Sequence, residues 1–480
     1  MIEPDYISLT VDLQHAITPQ QAWHYSIVPK HLEGDKHITL YVSEDKYHHQ
    51  LTDELEMLYG KTVLLEKASV SVVQKTLGKY YRNTNAHADI KQVSAGNVKT
   101  DDFLPMLISE AKNLGSSDIH IETYEEKCRV RIRIDGLLIE RYTISKIDYP
   151  SLINKIKIKA NLDISERRLP QDGRIFFNTD GHKFDIRVSV LPTLHGEKIV
   201  LRLLSNDAAN IDIERLGFNE KELEGYLEGI KKPHGLILIS GPTGSGKTTT
   251  LYATLKILNK EKSNVITIED PIEYTLEGIN QVQLKESIGL TFASALRSFL
   301  RQDPDVIMLG EIRDGETAQM AIRAALTGHL VLSTIHTNSA WGTISRLADM
   351  GVPPFLLAST LNTTVAQRLL RLLCTECKEE KTFDSSYFPR TFKAPRAIHS
   401  HFVAKGCEHC YYTGYKGRKA IYEVIPIDFE LAENIKNNTF SIEAILKERN
   451  IKTLKENAFD LFEKGITTVD EIYPILLNSY

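Results

Sequence analysis

The segment Gly241–Thr248 reads GPTGSGKT and matches G-x-x-x-x-G-K-[ST], a spacing suited to holding a phosphate chain. Gly241, Gly244 and Gly246 leave the backbone free to turn successive N–H groups toward one anion, with Pro242, Thr243 and Ser245 completing the loop. Lys247 would reach the β- and γ-phosphates and the Thr248 hydroxyl would hold Mg²⁺, while Thr249 opens a helical pattern whose positive end faces the same anion. Three further clusters lie downstream. Glu269-Asp270-Pro271-Ile272-Glu273 could orient and deprotonate water beside a γ-phosphate. Asp305-Val306-Ile307-Met308-Leu309-Gly310-Glu311 sets four apolar residues and a glycine before an acid, and Glu311 would hold the Mg²⁺ shell, directly or through water. His329 and His336 bracket the last cluster, with His336 placed to sense a γ-phosphate. Separately, Cys374-x₂-Cys377 and Cys407-x₂-Cys410 have the spacing of a four-sulfur structural Zn²⁺ site. Two disulfides are the alternative, which a reducing compartment disfavours.

These groups must be carried to one place by the chain around them. Leu236–Ile239 is an apolar run right for a buried strand, and the helical pattern after the phosphate loop runs from Thr249 to Lys260. Val265–Ile268, Val306–Leu309 and Val331–Ile335 are each short, apolar and β-branched, as fully buried parallel strands are. Helical patterns between them predict a RecA-like α/β core, with the acids and His336 at the strand ends where ligands collect.

At 480 residues, with 42% hydrophobic and 25% charged residues, the chain has the composition of a globular protein of several domains. A formal net charge of −5 argues against nucleic acid as the main partner. The polar start and the lack of a long apolar run predict a soluble, cytoplasmic protein, and five cysteines suit a reducing compartment. Cys128, inside a strand pattern, reads as a packing residue.

Residues 1–82 read as a small mixed docking domain. His37–Val42 turns Ile38, Leu40 and Val42 inward, Leu51, Leu55 and Leu58 share a helical face ending at Gly60, Val63–Leu65 forms a strand and Ser69–Tyr81 a helix. His48 and His49, in a polar loop without spaced partners, read as solvated rather than metal-binding. Residues 83–100 carry no apolar period and read as a linker. Residues 101–205 form an α+β domain: a helix to Leu114 stopped by Gly115, strands around Ile119 and Ile121 and around Val130, Ile132 and Ile134, and hairpins at Asp135-Gly136 and Asp180-Gly181. Its strands carry Arg131, Arg133, Arg174, Arg187 and Arg202, which either face solvent or cluster toward a triphosphate. Residues 206–215 form a second linker and residues 216–480 the nucleotide domain, including the cysteine module at about 370–415.

The motifs GPTGSGKTTT, ITIEDPIEY, LRQDPDVIMLGEIRD and TGHLVLSTIHTNS resemble the Walker A, Asp box, Walker B and His box of the secretion ATPase superfamily, and within it the assembly ATPases of type II secretion and type IV pilus systems. SSDIHIE, RLPQDGRI, DIRVSVLPTLHGEKIVLRLL and GYKGRKAIYE extend the resemblance over about residues 101–475, with Ala420 where relatives often have glycine. It implies an α/β fold class: a RecA-like P-loop ATPase core with an α+β (PAS-like) domain before it, a small zinc-binding module and an N-terminal docking domain. It implies ATP hydrolysis with Mg²⁺, and Zn²⁺ in a tetracysteine module that retraction ATPases generally lack. Glu269 and Glu311 correspond to the Asp-box and Walker B glutamates, His329 and His336 to the His box, and Arg174 and Arg187 to arginines that close the site on ATP, with Arg202 a weaker match. Which glutamate is the principal base stays open, with Glu269 favoured. The implied partners are five further copies in a hexamer, an inner-membrane platform protein and a membrane docking protein bound by the first domain, giving a cytoplasmic protein peripheral to the inner membrane. A nucleotide-regulated scaffold and a DNA translocase are the alternatives from other classes; intact acids disfavour the first and mild acidity the second.

Overall fold

In the computed structural model the described residues are 6–7, 9, 13, 16–33, 37–48, 50–81, 91–93, 100–179, 182–204, 212–384, 387–439 and 442–477. The chain divides into two compact units, Met1–Asp89 and Ile90–Tyr480.

In the first unit a helix, α1 (Pro19–Tyr25), precedes strands β1 (Ile27–Glu33) and β2 (His37–Ser43), helix α2 (Leu51–Tyr59), strand β3 (Thr62–Ala68) and helix α3 (Val70–Tyr80). Thr18 and Gln21 start α1 by exchanging side-chain and backbone hydrogen bonds. β2 lies between antiparallel β1 and parallel β3, and its Ile38, Leu40 and Val42 enter a core with Leu51, Leu55, Val63, Val73 and Leu77. The expected three-leucine face of α2 shrinks to two. Leu58, on the same helical face, is 44% exposed in the last turn, whereas Leu51 and Leu55 are buried. His48 lies in a loop, and His49 is outside the described residues.

The second unit begins with β4 (Lys91–Val93), inside the stretch expected to be a linker; it pairs in parallel with β7 and forms a sheet edge. Helix α4 (Thr100–Asn113), β5 (Asp118–Thr123), β6 (Cys128–Ile134), β7 (Leu137–Ile144), α5 (Tyr149–Lys159), β8 (Gln171–Thr179), β9 (His182–Thr193) and β10 (Gly196–Leu204) complete a sheet of order β4-β7-β6-β5-β10-β9-β8. Asp135 (φ 47°) and Gly136 (φ 87°) make the tight turn of the β6–β7 hairpin. β8 and β9 pair as the second hairpin requires, although Asp180 and Gly181 themselves lie outside the described residues. Both helices cover one face, where Ile119, Ile121, Val130, Ile132, Ile186 and Val188 pack with Leu107, Ile108, Leu152 and Ile153.

The second sheet uses β11 (Gly235–Ser240), β12 (Val265–Glu269), β13 (Asn280–Gln283), β14 (Val306–Leu309), β15 (Leu330–Ile335), β16 (Leu361–Leu373) and β19 (Tyr415–Pro426), in the order β13-β12-β14-β15-β11-β16-β19. All neighbours are parallel except β16 and β19. Its side chains alternate between two cores: Leu236, Leu238, Ile307 and Leu309 enter one, and Ile237, Ile239, Val306 and Met308 the other. Helices α6 (Glu220–Lys231), α7 (Lys247–Leu258), α8 (Phe292–Phe299), α9 (Gly315–Leu326), α10 (Gly342–Asp349), α11 (Pro354–Thr360), α12 (Phe429–Lys436), α13 (Glu443–Glu448), α14 (Leu454–Glu463) and α15 (Val469–Leu477) supply the covering layers. Between β16 and β19 sits a small ribbon, β17 (Glu379–Thr382) and β18 (Ser400–Val403). This architecture is the expected α/β class with a RecA-like core. Among the described residues no helix is long and apolar enough to cross a membrane.

Candidate active site

Because β11, β12, β14 and β15 are parallel and adjacent, their C-terminal ends open on one edge of the sheet. Ser240 leads there into the phosphate loop, Glu269 ends β12, and Glu311 and His336 follow β14 and β15. His329 precedes β15, whose six residues span roughly 20 Å, so it lies at the opposite edge. Its Nδ1 is 2.9 Å from the Ala324 carbonyl oxygen and 3.2 Å from the Thr327 hydroxyl, at the end of α9. Within one chain it is therefore a helix-end group across the strand from His336, although both histidines were expected in the site.

The loop's geometry follows from its glycines. Gly241 has φ 150° and Gly246 φ 88°; a Cβ on the first would lie 2.5 Å from the Gln367 carbonyl oxygen and on the second 2.8 Å from Gln367 Nε2. Gln367, on β16, donates to the Ser245 carbonyl at 2.8 Å and accepts from the Thr250 hydroxyl at 2.9 Å, tying the loop to its helix. α7 starts at Lys247, two residues before the expected Thr249. Lys247 Nζ donates to the carbonyls of Gly241 (2.8 Å) and Pro242 (3.1 Å). Burial pushes its pKa down, with Glu311 opposing and Arg368 reinforcing that shift. Pro242, Thr243, Gly244 and Thr248 are exposed, Thr249 is half-buried, and the buried Ser245 hydroxyl has no hydrogen-bond partner. Exposed glycine backbone beside a lysine and a threonine hydroxyl fits a phosphate chain with Mg²⁺, and the ion would neutralise phosphate charge.

The two glutamates differ sharply. Glu311 accepts from Arg313 and lies 3.2 Å from His336 Nε2. Burial pushes its carboxyl up, but Arg313 and then His336 outweigh it and hold the pKa below the usual carboxylate range. Arg313 also lies 3.5 Å from Asp270, joining the two acid clusters. Glu269, in contrast, is only 3% exposed and is enclosed by the Tyr252 hydroxyl, the Thr267 hydroxyl (2.6 Å) and Gln281 Nε2 (3.1 Å). Sequence reading placed this carboxylate at a strand end beside a γ-phosphate; the fold puts it at that strand end and surrounds it with donors.

The first sheet reaches this region through one arginine. Arg174, Arg187 and Arg202 are register partners across β8, β9 and β10, and so form one row on the face away from the helices. Arg187, 18% exposed in its side chain, donates to the Ile272 carbonyl and lies 3.3 Å from Glu273, both in the Asp-box turn. Its Nε is buried without a partner. Arg174 is half exposed, 3.6 Å from Asp185, and Arg202 pairs with Asp118 at 3.0 Å. Arg131 and Arg133 pair with Glu122 (2.7 Å) and Asp118 (3.5 Å). A second joint forms where Asp135 accepts from the Gly417 N–H at 2.7 Å and lies 3.4 Å from Arg418.

Sequence reading did not single out Gln367, Tyr252, Gln281 or Arg313 as site residues, and it named Glu273 only as the end of the Glu269–Glu273 cluster. A lone amide inside the apolar strand TTVAQRLLRLL was the available signal for Gln367; Tyr252 offered none, since an aromatic residue on a buried helix face is ordinary packing.

The four cysteine sulfurs come together from two segments, with Sγ–Sγ separations of 3.9 Å (Cys374–Cys407), 3.7 Å (Cys377–Cys410) and 3.8 Å (Cys407–Cys410). Sulfurs about 2.3 Å from one tetrahedral zinc ion stand about 3.8 Å apart, whereas disulfide sulfurs are about 2 Å apart. The cluster therefore fits zinc, which would bind thiolates and lock the module's two ends. Cys128 is separate and buried, its Sγ 3.2 Å from the Thr123 hydroxyl.

Residues 94–474 match the family of the type II/IV secretion system protein. The chain is 46% identical to the type II secretion system protein E of Pseudomonas aeruginosa, over 76% of this chain and 73% of that one. It is 39% identical to the type IV pilus assembly ATPase PilB of Myxococcus xanthus, over 98% of this chain and 86% of that one. A crystal structure of the pilus retraction motor PilT with bound ADP superimposes with a TM-score of 0.54 at 28% identity, covering 78% of this chain and 96% of PilT. With its phosphate loop, strand-end acids and family match in place, the chain belongs to the type II/IV secretion system protein family and is an ATP hydrolase of the secretion-motor type.

Proposed function

We propose that this ATPase drives assembly of pilin or pseudopilin subunits in a type IV pilus or type II secretion system, as a homohexamer at the cytoplasmic side of the inner membrane. Residues 1–82 dock to a membrane partner, the motor acts on an inner-membrane platform protein, and nucleic acid takes no part. Gly241–Thr249 bind the triphosphate, with Lys247 on its β- and γ-phosphates; Thr248 and Glu311 hold Mg²⁺, and His336 reads the γ-phosphate. Glu269 serves as the base that activates water, Arg187 and Arg174 close the site from residues 101–205, and His329 takes no part within its own chain. Cys374, Cys377, Cys407 and Cys410 bind structural Zn²⁺.

The observation that carries this reading is the grip of Arg187 on the turn that follows Glu269. A site completed by a second domain can convert occupancy into domain movement, as a motor requires. The match to PilB runs through the first unit, whereas that to protein E covers 76% of the chain; this reach favours a pilus. Steady-state phosphate release from the purified chain tests the enzyme assignment: Lys247→Ala should lower the rate by about 100-fold or more, and a rate near wild type would sink it. Complementation of a deletion strain, scored separately for surface pili and for secreted protein, tests the choice of machine.

A further inference from the structure

Both oxygens of Glu269 are engaged: Oε2 by Tyr252, and Oε1 by Thr267 and Gln281. Tyr252 lies on α7, the helix that opens at Lys247, and is 1% exposed. Its ring stands edge-on to Tyr274 at 4.5 Å. The Tyr252 oxygen also accepts the N–H of Glu273 at 3.3 Å. Burial and then the Glu269 charge push the phenol's pKa upward, so at neutral pH the hydroxyl keeps its proton and donates a hydrogen bond to the carboxylate. Arg187, from the other sheet, holds the Ile272 carbonyl and the Glu273 carboxylate. A continuous path thus runs from Arg187 through residues 272 and 273 to Tyr252 and on to Glu269.

We propose that Tyr252 is a positioning residue that keeps Glu269 enclosed and passes to it any displacement that Arg187 imposes on the 272–273 turn. The inference rests on the reading of Glu269 as the base. One hydroxyl makes both contacts, so moving the Glu273 amide must move or weaken the donor on Glu269, and a hydrogen bond to a charged group is strong enough to bias where a carboxylate sits. Arg313, which bridges Asp270 and Glu311, lies on a separate route that does not include Tyr252.

A double-mutant cycle decides the point. Tyr252→Phe removes the hydroxyl and keeps the ring against Tyr274. The expected result is that Arg187→Ala lowers kcat about tenfold in the otherwise wild-type chain but only about twofold when residue 252 is Phe. ADP affinity, read with a fluorescent analogue, is expected to change additively in the same four proteins. An equal loss of kcat in both backgrounds would overturn the relay. Glu269→Gln is measured alongside. If it keeps kcat within about twofold of wild type, the base assignment itself is wrong; if it loses about 100-fold while the cycle is additive, the relay alone is wrong. Should Tyr252→Phe not fold, judged by its melting curve, Tyr252→Met takes its place with the same two outcomes.

Discussion

The two seven-stranded sheets of the second unit solve opposite problems. The nucleotide sheet is buried on both faces and sends alternate residues into two cores, so its functional groups are confined to strand ends. The arginine sheet is covered by helices on one face only, and its other face is a lattice of charges: the Arg174–Arg187–Arg202 row runs on through Asp118 to Arg133 in register. The first arrangement makes a fixed platform for a triphosphate. The second carries a row of arginines, most of them paired with carboxylates of their own sheet, and one of them, Arg187, reaches across to the platform.

If that contrast is right, the same kind of change should cost very different amounts in the two sheets. Leu238→Ala, in a strand fully buried on both sides, is expected to lower unfolding stability by about 4 kcal/mol, and Val200→Ala, on the charged face, by under about 1 kcal/mol; denaturant titration reads both. Similar costs would erase the distinction. The charged face should instead depend on Glu122, which is 3% exposed and bonded to Arg129 (3.0 Å), Arg131 (2.7 Å) and Lys198 (3.1 Å). Burial pushes its carboxyl up, but these three cations overcome that and bring the pKa from 4.5 down to about 2. A depressed pKa contributes stability above the unfolded value and loses it as pH falls through the folded one. Glu122→Gln should therefore cost about 3 kcal/mol at neutral pH and little at pH ~2, so that melting curves of the two proteins converge between pH ~4.5 and ~2. At the small end, Arg174→Ala, half exposed beside Asp185, is expected to lower kcat only two- to threefold, roughly 0.5 kcal/mol.

Much of this was legible in the sequence because it is local. Short β-branched runs declare buried strands, Asp135-Gly136 declares a turn with positive φ, and the spacing of Lys247 and Thr248 after glycines declares a phosphate loop. Cysteine pairs 33 positions apart could be read as one cluster because four thiols in a small module have few other uses. What stayed hidden depends on contacts between distant segments. Nothing near Glu269 in sequence reveals that Tyr252 and Gln281 enclose it. The separation of His329 from His336, by contrast, was legible, since the two flank a single strand and must lie at its opposite ends. Lys91–Val93 has no periodicity of its own and becomes a strand only because β7 offers an open edge.

The two sheets meet at Arg187, which reaches from one into the site of the other. The direct measurement is kcat for phosphate release and ADP affinity of Arg187→Ala, determined on the same preparation as wild type. Loss of about tenfold in kcat, about 1.4 kcal/mol, with affinity changed by less than about twofold is the predicted result. Equal losses in turnover and affinity would contradict it and reduce Arg187 to a residue that binds or folds.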